Sequence, residues 1–401
     1  MPTFPEQLRA RRLEAGLSLA DLSTRTGYDR TYFAHAESGR RTATEPFAAA
    51  VDVALNADGE LYKAWEKEDA IRRRDAATHR TRAAALAISR DLCAMADLDI
   101  SELHAGVEAT AVDYLGTPPA PMMDRAHALR AEAAERIRSG HHRPQDRSDL
   151  YVTAGQLSGV LAYALLDMGD PQEALHHVAA AARCAEYAGD AELAAWVAGT
   201  RSLICRFMGD YGLALDAIRD GYQHVGSGTG TGEARLRCGE AQCLANLGDS
   251  QAANAALDGA EVARERIRRP DSLGGLFGFS AAKQSYYAGS SLIWLDGGHD
   301  AERAAREATA AIGMWQAGPD DERSLDDERL AHVYLATARV QLGDVEGAAE
   351  AIAPILSLPL EEQISWIIKR ADRLASMLSA PRFQGNRAAE ETVQAIKELA
   401  A

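Results

Sequence analysis

The chain has 401 residues, 47% of them hydrophobic, and a formal charge of −16. That length holds two or three domains with ample core, and no apolar run reaches the roughly 18 residues a membrane helix needs. The acidity speaks against nucleic acid until it is counted by segment: residues 1–82 hold 14 Lys/Arg against 13 Asp/Glu, so the acid belongs to the rest. A duplex can then be held only by the N-terminal head, while the body repels it.

Ala and Leu dominate, β-branched runs are scarce, and Gly and Pro fall at intervals suited to helix ends. This composition predicts an all-α protein. No signal peptide or lipidation signal is present, which predicts a cytoplasmic location. Residues 4–14 form the first predicted helix, with Phe4, Leu8 and Leu13 inward and Arg9 and Arg11 outward. Ser18 to Arg41 then reads as two short helices around a tight turn. Leu19, Leu22, Phe33 and Ala36 give each half an apolar face at helical spacing. Ser18 and Asp29 stand where each helix starts, as acceptors for its free N–H groups. Gly27 falls in the turn, where a residue lacking Cβ can take a left-handed conformation. Ser38-Gly39 stops the second helix. This is the helix-turn-helix layout, whose second helix enters the DNA major groove. Pro46 begins a further helix with Phe47, Val51 and Leu55 inward, and a short helix at Glu60 to Trp65 completes a five-helix head.

Leu8-Arg-Ala-Arg-Arg-Leu, Gly16-Leu-Ser, Leu22, Gly27, Phe33 and Glu37-Ser-Gly-Arg-Arg together resemble the Cro/repressor (XRE) family of bacterial DNA-binding domains. The resemblance spans residues 4–65. It implies an ion pair between Arg12 of the first helix and Glu37 at the end of the recognition helix. One position departs from the family: the residue after Ser18 is often a phosphate-contacting Gln, and here it is Leu19. By position, Arg30, Thr31, Tyr32 and His35 are the expected base readers, since Phe33 and Ala36 face the core. Arg suits the two acceptors of guanine, and Thr a base edge or a thymine methyl. Arg9, Ser18, Arg40 and Arg41 are expected to hold phosphates and set register.

Residues 66–100 read as a charged linker helix. Arg72-Arg73-Arg74 within it suits phosphates, though a solvated face is the commoner reason for such a run. Residues 101–140 give two amphipathic helices broken at Gly116-Thr-Pro-Pro-Ala-Pro. Beyond them the sequence repeats. Gly169-Asp170, Gly209-Asp210, Gly248-Asp249, Gly297-Gly298 and Gly343-Asp344 each precede a pair that opens with a small Ala, such as Ala174-Leu175 or Ala214-Leu215. The intervals are 40, 39, 49 and 46 residues. Each unit is an apolar helix, a turn and a second helix, which buries its face only against neighbours. Ala191 to Val225 resembles a tetratricopeptide repeat (TPR), although the periods exceed that family's and the closing Pro is mostly absent. The expected architecture is a five-helix HTH head (1–65), a linker (66–100) and a right-handed TPR-like α-solenoid (101–385). A capping helix (386–401) follows.

Lining the repeats up on their turns places Gln156, Tyr163, Trp196, Leu203, Arg206, Gln242, Asn246, Val333 and Thr337 on the expected concave face. Amides and aromatics with one Arg suit a peptide, and Arg206 is the expected anchor for a ligand carboxylate. For Leu203 and Val333, packing between repeats is the simpler role. Gly226 to Gly232 is Gly-rich, but a phosphate loop needs a preceding strand and a following Lys-Ser/Thr. The five cysteines have no zinc spacing. His141-His142 and His176-His177 lack a third ligand. No metal, cofactor or enzyme is expected.

A reader joined to helical repeats predicts a DNA-binding transcription regulator, dimeric so as to span two half-sites on a double-stranded operator, that senses a peptide or small-molecule effector. The domain order is similar to that of bacterial receptors for small peptide pheromones. Two alternatives stay open: repeats that bind only a protein partner, and a non-regulatory scaffold or antitoxin-like module. The bias of 38 Arg against 5 Lys suits a GC-rich bacterial genome.

Overall fold

The computed structural model describes residues 2–74, 100–139, 144–226, 230–295, 297–359 and 362–399. Every regular element among them is helical. The chain divides into two compact units, residues 1–81 and 82–401.

The head is built from α1 (Phe4–Glu14), α2 (Leu19–Thr26), α3 (Arg30–Glu37), α4 (Glu45–Ala54) and α5, which spans 60–74 among the described residues. Its core is Phe4, Leu8, Leu22, Phe33, Phe47, Val51, Leu61 and Trp65. Ser18 and Asp29 accept hydrogen bonds from the Asp21 and Thr31 amides, capping α2 and α3, and Gly27 sits in the turn at φ +77°. Asp52 fixes the last helix, accepting from the amides of Gly59, Leu61 and Tyr62 at 2.8–3.1 Å. Two expectations need correction. Leu13 is 58% exposed rather than inward. On a helix the position four after Leu8 continues the inward face, and Arg12 holds it. Nor does the last helix end near Trp65; it continues through Arg74.

The second unit opens with α6 (Ile100–Asp113) and α7 (Pro119–Ser139). Six helical hairpins follow. They are α8 (Pro144–Asp167) with α9 (Pro171–Ala188), α10 (Ala191–Met208) with α11 (Tyr211–Tyr222), and α12 (Gly232–Asn246) with α13 (Ser250–Glu265). Next come α14 (Ala281–Leu292) with α15 (Gly298–Ala317), α16 (Leu325–Leu342) with α17 (Val345–Leu356), and α18 (Ser365–Leu378) with α19 (Arg387–Leu399). Gly169, Gly209, Gly248 and Gly343 take φ between +82° and +88°. The Asp after each caps the second helix of its hairpin.

The first helices of the hairpins touch in sequence, α8 to α10, α12, α14, α16 and α18, and α18 returns to α8. Ser365 Oγ donates to the Leu166 carbonyl at 3.2 Å. Lys369 Nζ donates to the Phe207 carbonyl at 2.7 Å, and Phe207 meets Trp366 edge-on at 4.5 Å. The array therefore closes on itself around a chamber, where the repeat pattern predicts an open concave surface. The closing hairpin departs from the four Gly-Asp turns, its arms being joined through Pro381–Phe383.

One segment narrows the chamber. Residues 267–280 cross from α13 to α14. The Leu276 amide donates to the Ala111 carbonyl at 2.9 Å, and Phe277 stacks on Trp196 at 4.4 Å. Gly275 has φ +60°, and a Cβ there would lie 2.3 Å from the Ala111 carbonyl oxygen. Gly275→Ala is therefore expected to lift this segment and cost about 1–2 kcal/mol from backbone strain alone. Thermal melts, with tryptophan emission reporting Trp196, check it; an unchanged midpoint would mean the segment is not held there.

Candidate nucleic-acid interface and central chamber

The recognition helix is set by the elements that grip α3. Phe33 and Ala36 are buried; Tyr32 packs on Phe47 at 4.5 Å and Tyr28 at 5.6 Å. Arg12 ties α1 to the end of α3. Its Nε donates to Glu37 Oε1 at 2.6 Å, Nη2 to Oε2 at 2.8 Å, and Nη1 to the Leu17 carbonyl at 3.0 Å. The two side chains are 12% and 8% exposed. The hydrogen bond to Glu37 raises the Arg12 pKa further above its already high ordinary value. A bidentate pair this sheltered fixes orientation as well as charge.

What remains outward on α3 is Arg30, Thr31, Ala34 and His35. Ala34, whose methyl suits a thymine methyl, has no distinguishing signal in the sequence beyond its helical position. Arg9, Arg30 and Arg40 are exposed and make no ion pair among the described residues. Arg41 is exposed and lies over the Tyr32 ring at 4.2 Å. Two expectations change. The Tyr32 ring belongs to the packing, and its hydroxyl is buried without a partner, so it is not placed as an exposed base reader. Ser18 Oγ donates to Asp21 Oδ2 at 2.7 Å, and its amide donates to the same oxygen at 2.8 Å. Its donors are committed to the helix cap, beside a carboxylate that repels phosphate.

In the repeat unit, all six inner helices line the chamber. Tyr163 and Asp167 come from α8, Leu203 from α10, Arg235 and Gln242 from α12, Lys283, Tyr286 and Tyr287 from α14, Asp326, Asp327 and Tyr334 from α16, and Trp366 and Arg370 from α18. Of the residues expected on the concave face, Tyr163, Leu203 and Gln242 are here. Gln156 and Trp196 line a neighbouring pocket beside Thr231 and Asp271. Arg206 lines neither. It is 6% exposed, with its guanidinium over the Tyr287 ring at 5.6 Å and Nε and Nη1 without partners. Helical rotation turns it into the wall, so it is not placed to anchor a ligand carboxylate. Asn246 accepts from the Tyr211 hydroxyl at 2.8 Å and donates to the Gln242 carbonyl. Val333 and Thr337 are buried packing.

Two acids of the chamber, Asp326 and Asp167, titrate above the ordinary carboxylate range. Burial pushes the Asp326 carboxyl up to about 6, against the hydrogen bond from Arg329. Burial, and then the charge of Asp326, pushes Asp167 well above the usual carboxylate range. A folded pKa above the unfolded one means that the folded chain binds more protons, so stability falls as pH rises from about 4 through 6. Asp326→Asn, which keeps an acceptor for Arg329, is expected to stabilise the chain by on the order of 1–2 kcal/mol at pH 7.5. The gain should vanish near pH 4. Melting curves from pH 4 to 8 that run parallel for both proteins would contradict this.

The remaining candidates recede. Thr231 donates through its amide and hydroxyl to Asp271, so an aspartate occupies the Gly-rich segment where a phosphate would sit; residues 227–229 lie outside the described residues. Cys184, Cys205, Cys238 and Cys243 are free thiols, and burial pushes Cys238 up to about 12; Cys93 lies outside the described residues. So do His141 and His142. Among the described residues no group of His, Cys, Asp and Glu is placed to hold a metal, and no helix is long and apolar enough to cross a membrane.

A family model described as a helix-turn-helix domain matches residues 4–65. That span is the head from α1 to Trp65, with α3 in the recognition position. No curated protein matches the chain at a significant level. The head is a helix-turn-helix domain, which suggests a DNA-binding regulator.

Proposed function

We propose that the chain is a cytoplasmic, homodimeric transcription regulator of the Cro/repressor type whose body of TPR-like hairpins senses an effector. The observation that carries the reading is the outward face of α3. Arg30, Thr31 and His35 are exposed on a helix held from behind by the Arg12–Glu37 pair and the Phe33–Phe47 contact. Arg9 and Arg40, which make no ion pair among the described residues, supply with Arg41 the sequence-independent attraction. One such head contacts too few bases for genomic specificity, so two copies are needed. The chamber supplies the sensing half and is assigned binding rather than catalysis.

The test is anisotropy of a labelled duplex with the full chain at several salt concentrations. Three phosphate-contacting arginines per head predict a log–log salt slope near −3 for each head engaged. A flat salt response would remove the DNA reading. A second reading, in which the repeats serve a protein partner, is favoured by Met168, Leu213, Leu247 and Leu342. These are exposed apolar residues at the hairpin turns.

A further inference from the structure

We infer that the central chamber binds a small organic ammonium ion, held by Asp167, Asp326 and Asp327 within walls of tyrosine. The inference rests on the effector-sensing reading above and gives it a chemical class.

The first support is what the carboxylates lack. Asp167 Oδ2 accepts from the Tyr114 hydroxyl at 2.6 Å, Asp326 Oδ1 from Arg329 at 2.8 Å, and Asp327 Oδ2 from Ser324 at 2.8 Å. The second oxygen of each receives no hydrogen bond among the described residues. Three half-satisfied carboxylates in one chamber are costly to desolvate, and a cation offsets that cost. Burial, and after it repulsion among the carboxylates, pushes Asp167 and Asp326 toward the neutral form.

The cations already present do not close the gap. Arg235 gives both terminal nitrogens to the Trp196 carbonyl, the Tyr163 hydroxyl and Thr200 at 2.7–3.0 Å. Arg370 lies over the Trp294 and Trp366 rings at 5.0 and 5.2 Å, with its Nε buried and unpartnered. Arg329 is shared between Asp326 and Glu362. Lys283 Nζ is 3.9 Å from Asp327 Oδ2, beyond a hydrogen bond. Among the described residues only Arg329 therefore makes a hydrogen-bonded ion pair with any of the three carboxylates, and it is bound to Asp326.

The second support is the wall itself. Tyr114, Tyr163, Tyr286, Tyr287 and Tyr334 line the chamber, five of the chain's twelve tyrosines. Aromatic rings gathered beside carboxylates are a setting that recognises organic ammonium groups. Tyr286 packs against Tyr334 at 5.6 Å and Tyr287 at 5.4 Å, so the rings form a continuous surface. About 80 Å³ of the chamber is open to the centre of a water molecule. At about 10–15 Å³ for each water centre this holds several waters, room for a small ligand but not for a folded partner.

The experiment is titration calorimetry on the full chain with 2-phenylethylamine, tyramine and tetramethylammonium, compared with 2-phenylethanol and phenylacetate. The amines are expected to bind, the alcohol at least about tenfold more weakly, and the carboxylate not at all. Asp167→Asn and Asp326→Asn, checked for wild-type helix content, should each weaken amine binding about tenfold. Equal binding of amine and alcohol, preference for phenylacetate, or no amine binding up to about 10 mM overturns the inference. Amine binding that leaves DNA affinity unchanged keeps the inference and removes the effector reading. A shift in DNA affinity caused by phenylacetate alone does the reverse.

Discussion

Replacing Arg12 with alanine is expected to destabilise the N-terminal head by about 3–5 kcal/mol, a large part of what a domain of this size possesses. The mutation removes a bidentate pair at 2.6 and 2.8 Å whose members are 12% and 8% exposed. It also leaves the Glu37 carboxylate in a site that water does not repay, and it strips the Leu17 carbonyl of its donor. Glu37→Ala should cost a similar amount for the mirror reason. The double mutant should cost far less than the sum, because neither charge is then left unpaired. Amide exchange of α1 to α3 in the full chain isolates the head from the repeats. Additive single and double mutants would show that the pair does not clamp the head.

Arg30→Ala is expected to weaken operator binding by about 1–3 kcal/mol, roughly 5- to 150-fold, and to relax one base position. Arg30 is exposed at the first position of α3, where a side chain meets base edges, and it makes no ion pair among the described residues. Arg40→Ala should instead weaken all duplexes alike and flatten the salt slope by about one unit. Competition against random DNA separates the two effects. If Arg30→Ala lowered affinity equally for operator and random sequence, base reading would lie elsewhere on α3, with Thr31 and His35 the remaining candidates.

The head was legible because its signals are local. Ser18, Asp29 and Gly27 mark ends and a turn within a few residues, and helical spacing alone separates Phe33 from Arg30. Leu13 shows where that method fails, since counting apolar residues cannot reveal that Arg12 takes the inward position by bonding Glu37, 25 residues away. Tyr32 fails for a related reason: its ring finds Phe47 on another helix. In the repeats the Gly-Asp turns marked four of the hairpins, but the closing contact of Ser365 with Leu166 spans 199 residues and leaves no periodic trace. Without closure the chamber cannot be foreseen. Asp167 and Asp326-Asp327 then read as solvated acids at helix ends, and Arg206 reads as a concave residue rather than part of the wall.

The most direct measurement is selection of random duplexes by the full chain, followed by sequencing of the bound pool. A dimeric helix-turn-helix regulator predicts an enriched, two-fold related motif with half-sites one helical turn, about 34 Å, apart or a multiple of it. Arg30→Ala should lose one position in each half while Arg40→Ala keeps the whole motif. A pool that stays random after repeated rounds, at a salt concentration where wild type still binds DNA, would contradict sequence-specific reading by α3.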